Sequence, residues 1–261
     1  MKADYLDHMG NDLTVVNAAR VSFDAMSDWE TNSDGTYAGP KNRLKKKDEG
    51  LIQFLARGCM SKDWDVLIDE LWDITPEKER PDVEAILKYV KNMPTHWTPF
   101  SHAMISVRET VPIFVARQRF KHMIGFTYNE VSRRYVDDTP AFHVPNMDGW
   151  RARPKGGIKQ GSGDAHPESP WINTAYCEHV KAAKKLYETM IEDGVAPEQA
   201  RMVLPQSMLT TYWVTGSLYA WANAYIQRSD SHAQKEIQDL AAQWDQIIRP
   251  LFPVSWSALV D

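Results

Sequence analysis

The chain has 261 residues, with 30 Lys plus Arg against 35 Asp plus Glu, a formal charge of −5, and 43% apolar and 11% aromatic residues. This composition excludes dominant disorder, because 10 Trp, 10 Tyr and 8 Phe supply ample apolar surface to bury. It also excludes a helical membrane span, since no run of about 18 apolar residues occurs, and the acidic balance argues against general nucleic-acid binding.

Cys59 and Cys177 lie in unrelated contexts and make neither a disulfide framework nor a CxxC zinc site. The acidic, polar start MKADYLDHMGNDL reads as neither a signal nor a transit peptide, so a cytoplasmic location is expected.

In chain order, residues 27–50 read as a loop, and its basic part, 41–47, as a solvated face. Residues 63–72 and 81–91 read as helices. Residues 103–111 alternate, with Ile105, Val107 and Val111 on one face of a strand. Pro112 ends that strand and opens a helix through Ile113, Phe114, Arg117 and Phe120. Residues 146–169 read as a flexible surface loop, because the glycines of GGIKQGSG fit neither GxxxxGK[ST] nor GxGxxG. Asn173 is positioned to cap a helix that ends near Gly194, with Tyr176, Val180, Ala183, Tyr187, Met190 and Ile191 recurring mostly at steps of three and four. Pro197 opens a short helix holding Arg201, which stops before Pro205. Residues 210–215 (TTYWVT) read as a second strand. A last helix is expected from about 229 to 249, with Ile237, Leu240, Ala241, Trp244, Ile248 and Leu251 as its buried stripe. Segregated helices and few strands indicate an α+β fold, a mixed or antiparallel sheet flanked by long helices.

Chemistry concentrates in residues 117–135, RQRFKHMIGFTYNEVSRRY, where Arg117, Arg119, Lys121, His122, Arg133 and Arg134 surround Asn129, Glu130 and Ser132. Guanidinium forks bind phosphate bidentately, and hydroxyls complete such a site. A solvated helix followed by a charged loop accounts for the composition equally well, and both readings stay open on composition alone. A second cluster holds Arg201, Arg228, Asp230, Ser231 and His232, with Ser229 or Asp230 placed to cap the last helix. A third, His96-Trp-Thr-Pro-Phe100, reads as a turn before the first strand. HExxH motifs, Cys/His clusters, GxSxG elbows and dinucleotide fingerprints are absent, so no metal, nucleophilic serine elbow or Rossmann domain is expected.

Five blocks in order resemble the flavin-dependent thymidylate synthases: residues 9–24 (MGNDLTVVNAARVSFD), 96–102 (HWTPFSH), 112–135 (PIFVARQRFKHMIGFTYNEVSRRY), 200–205 (ARMVLP) and 228–238 (RSDSHAQKEIQ). The third block is the family signature. Its usual Arg-His-Arg triplet reads Lys121-His122-Met123 here, one extra residue precedes Asn129, and an Arg usual before the last block is replaced near Tyr219. Either another cation such as Arg119 takes over from the missing guanidinium, or the cofactor is held differently. An insertion within 59–93 and the loop near Gly156 have no counterpart in the pattern. Such variants are similar to those of bacteriophages, in which case the location would be the host cytoplasm.

The resemblance implies one synthase domain over 1–261 that makes thymidylate from deoxyuridylate (dUMP). Methylenetetrahydrofolate would supply the carbon, reduced FAD the hydride, and NADPH would reduce the flavin. It implies a homotetramer whose active sites are shared between subunits, with no nucleic-acid polymer or membrane as partner. Carried over by position, Gln118, Lys121, Ser132, Arg133, Arg134, Arg201 and Arg228 hold deoxyuridylate. Glu130 lies between nucleotide and flavin. Ser22, His96, Thr98, Lys121, His122, Met123, Asn223 and His232 face FAD. Arg228 and Ser132 are the catalytic candidates, Arg228 by stabilising negative charge on the uracil ring, an effect of roughly 3–4 kcal/mol per well-aimed donor. Ser132 as a nucleophile lacks an evident base. A nucleotide-binding module of the same fold without turnover is the alternative.

Overall fold

The protein was analysed as a computed structural model that describes residues 1–32, 35–36, 43–57, 59, 71–91, 95–135, 138–154 and 161–261. Backbone contacts divide the chain into two units, each assembled from separate stretches. The first comprises Met1–Asp7, Ile105–Gly216 and Ala224–Ile247, and the second His8–Met104, Ser217–Asn223 and Ile248–Asp261. Among the described residues no helix is long and apolar enough to cross a membrane.

A four-stranded sheet runs through β1 (Lys2–Met9), β2 (Met104–Pro112), β3 (Phe126–Glu130) and β4 (Leu209–Ser217), in the order β1-β2-β4-β3. The expected strands at 103–111 and 210–215 are β2 and β4. Both bury alternate residues: Ile105, Val107, Glu109 and Val111 on β2, and Thr210, Tyr212 and Val214 on β4. Their opposite faces carry hydroxyl pairs, Ser106 with Thr215 at 2.8 Å and Thr110 with Thr211 at 3.0 Å. As the number rises along one strand it falls along the other, the mark of antiparallel pairing. β3 pairs antiparallel with β4, placing Glu130 opposite Tyr212 and Phe126 opposite Gly216. A Cβ at Gly216 would lie 2.3 Å from the Phe126 ring, so only glycine admits that ring across the ladder.

Pro112 leads directly into α4 (Ile113–Arg119), as its fixed φ favours. α5 (Ser169–Glu192) begins four residues before the expected cap. Pro170 sits in its first turn, while Asn173 lies within the helix and accepts a hydrogen bond from Trp150 Nε1 at 3.1 Å. Gly194 takes φ +82° just beyond its end. α6 (Pro197–Ala200) passes into a 3₁₀ turn, Arg201–Val203, which carries Arg201.

The expected last helix is a correction. α7 (Leu218–Ser229) ends where that helix was expected to start, the chain turns through 230–234, and α8 (Lys235–Ile248) follows. Arg228 therefore lies in the last turn of one helix, where carbonyl dipoles favour a cation. The polar run 229–232 resembles a cap because it is the connection between two helices. Ile237, Leu240, Ala241, Trp244 and Ile248 form the buried stripe of α8, and Leu251 falls beyond its end.

In the second unit the expected loop at 27–50 is shorter than read. α2 (Lys46–Ala56) starts inside it and buries Asp48, Ile52 and Leu55. Asp48 pairs with Arg20 and accepts from Ser27 Oγ at 2.8 Å. α1 (Asp12–Arg20) is capped reciprocally by Asn11 and Thr14. Its buried Asp12 accepts from the Val254 and Ser255 amides, closing the start of α9 (Pro253–Val260). Burial raises the Asp12 pKa despite those bonds. α3 (Arg80–Lys91) matches the helix expected at 81–91. The helix expected at 63–72, most of the insertion within 59–93, and 155–160 of the flexible loop fall outside the described residues.

Candidate active site

One cavity of about 520 Å³ in the first unit is lined by Ile113 from α4, Glu130 at the end of β3, residues 131–134 that follow it, Arg201, Met202 and Leu204, and Met208 and Thr210 leading into β4. It gathers Glu130, Ser132, Arg133, Arg134 and Arg201, which are far apart in sequence. Thr210 Oγ1 donates to Glu130 Oε1 at 2.5 Å and fixes the carboxylate at the edge of the sheet. Ser132 Oγ accepts from the Arg134 backbone amide and Nε at 3.4 and 3.3 Å. The Arg134 guanidinium lies 4.9 Å from the Tyr135 ring, and Arg201 Nε donates to the Glu198 carbonyl at 3.2 Å. Among the described residues neither cation is paired with a carboxylate. Arg133 differs: its Nη1 is bound to Asp138 Oδ1 at 2.6 Å, so its charge is already matched.

A second cavity of about 550 Å³, also in the first unit, is lined by Phe114, Arg117, Gln118, Phe120, Lys121, Gln206 and Arg228. It holds the other three expected nucleotide contacts, Gln118, Lys121 and Arg228. Arg228 Nε donates to His122 Nε2 at 2.8 Å, and Nη2 to the Gln118 carbonyl at 3.3 Å. The Gln118 side chain donates to Gln234 Oε1 at 2.6 Å. Burial, then the charges of Arg228 and Arg119, lower the His122 pKa to about 4, so its ring is neutral near pH 7. The two cavities have no lining residue in common.

Arg119 is not available to replace the missing guanidinium of the triplet. It is wholly buried beside Glu109, which is equally buried, with Nε 3.4 Å from the carboxylate. Its Nη1 donates to the Tyr128 hydroxyl at 2.6 Å, and Tyr212 donates to Glu109 Oε2 at 2.5 Å. The rings of Phe126 and Trp244 lie 4.3 and 4.8 Å from the guanidinium carbon. Burial pushes the Tyr128 phenol up to about 12. The cation is enclosed on every side named, as a structural group.

The expected cofactor contacts divide between the two units. Lys121, His122, Met123 and His232 belong to the first, and Ser22, His96, Thr98 and Asn223 to the second. Met123 and Ile124 are 74% and 94% exposed on the turn before β3. His232 Nδ1 lies 3.0 Å from Asp230 at an exposed position. In the second unit, Ser22, His96 and Thr98 are exposed, and the His96 ring stacks on Phe54 at 5.5 Å. Tyr219, near the position where an Arg is usual, donates its phenol to the Cys59 carbonyl at 2.9 Å and packs against Trp97.

Sequence reasoning missed Thr210, Gln206 and Gln234. The strand periodicity of TTYWVT places Thr210 on the buried face, and Gln234 lies inside the fifth resembling block. Gln206 carries no signal. A third cavity, of about 500 Å³ and lined by His143, Trp150, Arg151, Tyr176 and Glu236 among others, contains none of the expected residues.

The model of the family described as thymidylate synthase complementing protein matches residues 5–254. The flavin-dependent thymidylate synthase of Thermotoga neapolitana is 30% identical over 260 residues, covering 98% of this chain and 89% of that protein. That of Thermosipho africanus is 33% identical over 195 residues, covering 71% and 78%. A crystal structure of the UMP/dUMP methylase PolB from Streptomyces cacaoi, bound with 5-Br dUMP, shares the fold at a TM-score of 0.71 and 24% identity, covering 98% of this chain and 93% of that one. The order of the blocks along the chain, the match over nearly its full length and the similarity to these relatives agree, and the chain belongs to the flavin-dependent thymidylate synthase family.

Proposed function

We propose that the protein methylates deoxyuridylate to thymidylate, taking the carbon from methylenetetrahydrofolate. The observation that carries this reading is the convergence of Ser132, Arg134 and Arg201 on one cavity, with Glu130 at its rim. A nucleotide monophosphate carries nearly two negative charges, and two cations without carboxylate partners beside a hydroxyl are matched to it. Arg134 and Arg201 take the phosphate, and Ser132 donates to it. The Ser132 oxygen has Arg134 donors on it and no base among its hydrogen-bond partners, which favours an anchoring role over a nucleophilic one. Arg133, matched by Asp138, shapes the wall.

Arg228, with Gln118 and Lys121, serves the uracil end and stabilises negative charge that develops on the ring. Because these three line a different cavity, a single nucleotide held by both sets draws them from two copies of the chain. This supports a homotetramer with shared sites. Among the described residues none of 59–93 lines either cavity, so the insertion lies outside the nucleotide contacts. The whole of 1–261 acts as one synthase domain. Two free thiols suit a reducing cytoplasm.

The donor set fits a flavin. His122 keeps an Nδ1–H for a ligand, exposed Met123 and Ile124 offer apolar surface that a flat ring would cover, and exposed Ser22, His96 and Thr98 offer polar contacts. Bound FAD, reduced by NADPH, supplies hydride chemistry that no side chain can.

The test is release of tritium from 5-tritiated deoxyuridylate. The expected result is thymidylate formation that requires folate and NADPH, by a yellow protein. Deoxyuridylate binding without NADPH oxidation would instead mark a nucleotide-binding module, the outcome to which Met123 in the triplet would then point.

A further inference from the structure

Arg228 leaves the last turn of α7 and is held at two points, His122 Nε2 through its Nε and the Gln118 carbonyl through its Nη2. Gln118 is in turn fixed by Gln234. An arginine Nε always bears its proton, so it can only donate, and the imidazole nitrogen that receives it must be bare. The ring proton then sits on Nδ1.

We propose that His122 is a positioning residue for the reaction: in its Nδ1–H form it grips Arg228 Nε and aims the remaining guanidinium donors at the uracil. The kinetic part of this proposal rests on the function proposed above. A free arginine side chain samples many rotamers, and two fixed hydrogen bonds remove that freedom before substrate arrives.

The groups around His122 support the required form. Arg228 faces it from α7 and Arg119 from α4, and both charges disfavour a cationic ring. From β3 the Tyr128 hydroxyl donates to the His122 carbonyl at 2.7 Å, which fixes the backbone. None of these is a carboxylate. Burial acts in the same direction and brings the pKa to about 4. His122 therefore stays an acceptor from neutral pH down to about pH 5. The role also fits the altered triplet: with Nε2 committed to Arg228, the Nδ1–H alone remains for the cofactor.

Two variants of the full-length protein separate positioning from a general structural effect. His122→Leu removes the acceptor, whereas His122→Gln keeps an amide oxygen about as far from the backbone as Nε2. The expected result is a kcat lowered about ten- to a hundredfold in the Leu variant, with KM for deoxyuridylate changed less than about threefold and flavin absorbance retained. The Gln variant should recover to within about fivefold of the parent. Equal losses in both variants, or losses that follow flavin release, would overturn the proposal.

A spectroscopic readout does not depend on turnover. Nitrogen-15 NMR of histidine-labelled protein should show His122 Nε2 unprotonated and Nδ1 protonated between about pH 5 and 8. The Nε2 signal should move in Arg228→Ala. A protonated Nε2 in that range would end the proposal whether or not the protein turns over. If wild-type protein released no tritium while this signature was intact, the proposed function would fail instead.

Discussion

Arg119 and Arg134 come from one basic stretch of sequence, yet they meet opposite fates. Arg119 is enclosed by Glu109, Tyr128, Phe126 and Trp244, with its charge matched in the interior. Arg134 stands at an open cavity with Ser132 and Arg201 and, among the described residues, has no carboxylate partner. A guanidinium with a matched charge holds the fold. One left without a carboxylate beside a cavity is available to an anion. Arg133 falls between them, at the cavity but paired with Asp138.

The sharpest way to test that contrast is to remove the enclosed cation. Arg119→Leu leaves the Glu109 carboxylate buried without its partner, so unfolding stability should fall by about 3–5 kcal/mol. Urea denaturation at fixed protein concentration measures it. A change below about 1 kcal/mol would show that the enclosed cluster carries no such weight. Next in size, Arg228→Ala should lower kcat by about a hundred- to a thousandfold while flavin stays bound. Near-parental turnover in that variant would remove the proposed role of Arg228 at the uracil.

The sequence marked out the basic segment but could not assign its members. The buried acid that claims Arg119 lies on β2, and one of its ring partners, Trp244, lies on α8. Neither is local in sequence. The α8 stripe was legible because buried residues recur with the helical period over a full helix. β3 was not: its alternation is five residues long, Phe126 and Tyr128 between polar neighbours, inside a run dominated by charge. The two-helix break at 230–234 was hidden because Ser229, Asp230 and Ser231 are the residues that cap helices. The sites stood out better than the fold around them. Ser132, Arg134 and Arg201 were named from the resemblance, and they converge; that Gln118, Lys121 and Arg228 line a separate cavity needed coordinates.

A smaller effect compares neighbours directly. Arg134→Ala should weaken deoxyuridylate binding by about 1.5–3 kcal/mol, the value of a charged hydrogen bond. Arg133→Ala should cost under about 1 kcal/mol, because Asp138 already holds that charge at the protein surface. Isothermal calorimetry of both variants gives the comparison. Equal losses would mean that the ion pair opens when the nucleotide binds, and that Arg133 belongs among its contacts.

The smallest expected effect is at Thr210, a buried residue on the strand that carries no charge of its own. Its hydroxyl donates to Glu130 Oε1, and Thr210→Val keeps the shape while deleting that donor. Glu130 is exposed, so water replaces the lost bond and stability should change by less than about 1 kcal/mol. What is lost is orientation, because the carboxylate then rotates freely at the cavity rim. Turnover should drop roughly three- to fivefold, a small misplacement on the scale set by reacting-group geometry. Parental kinetics in Thr210→Val would show that Glu130 finds its working position without the strand beneath it. The cavity would then owe its shape to Ser132, Arg134 and Arg201 alone.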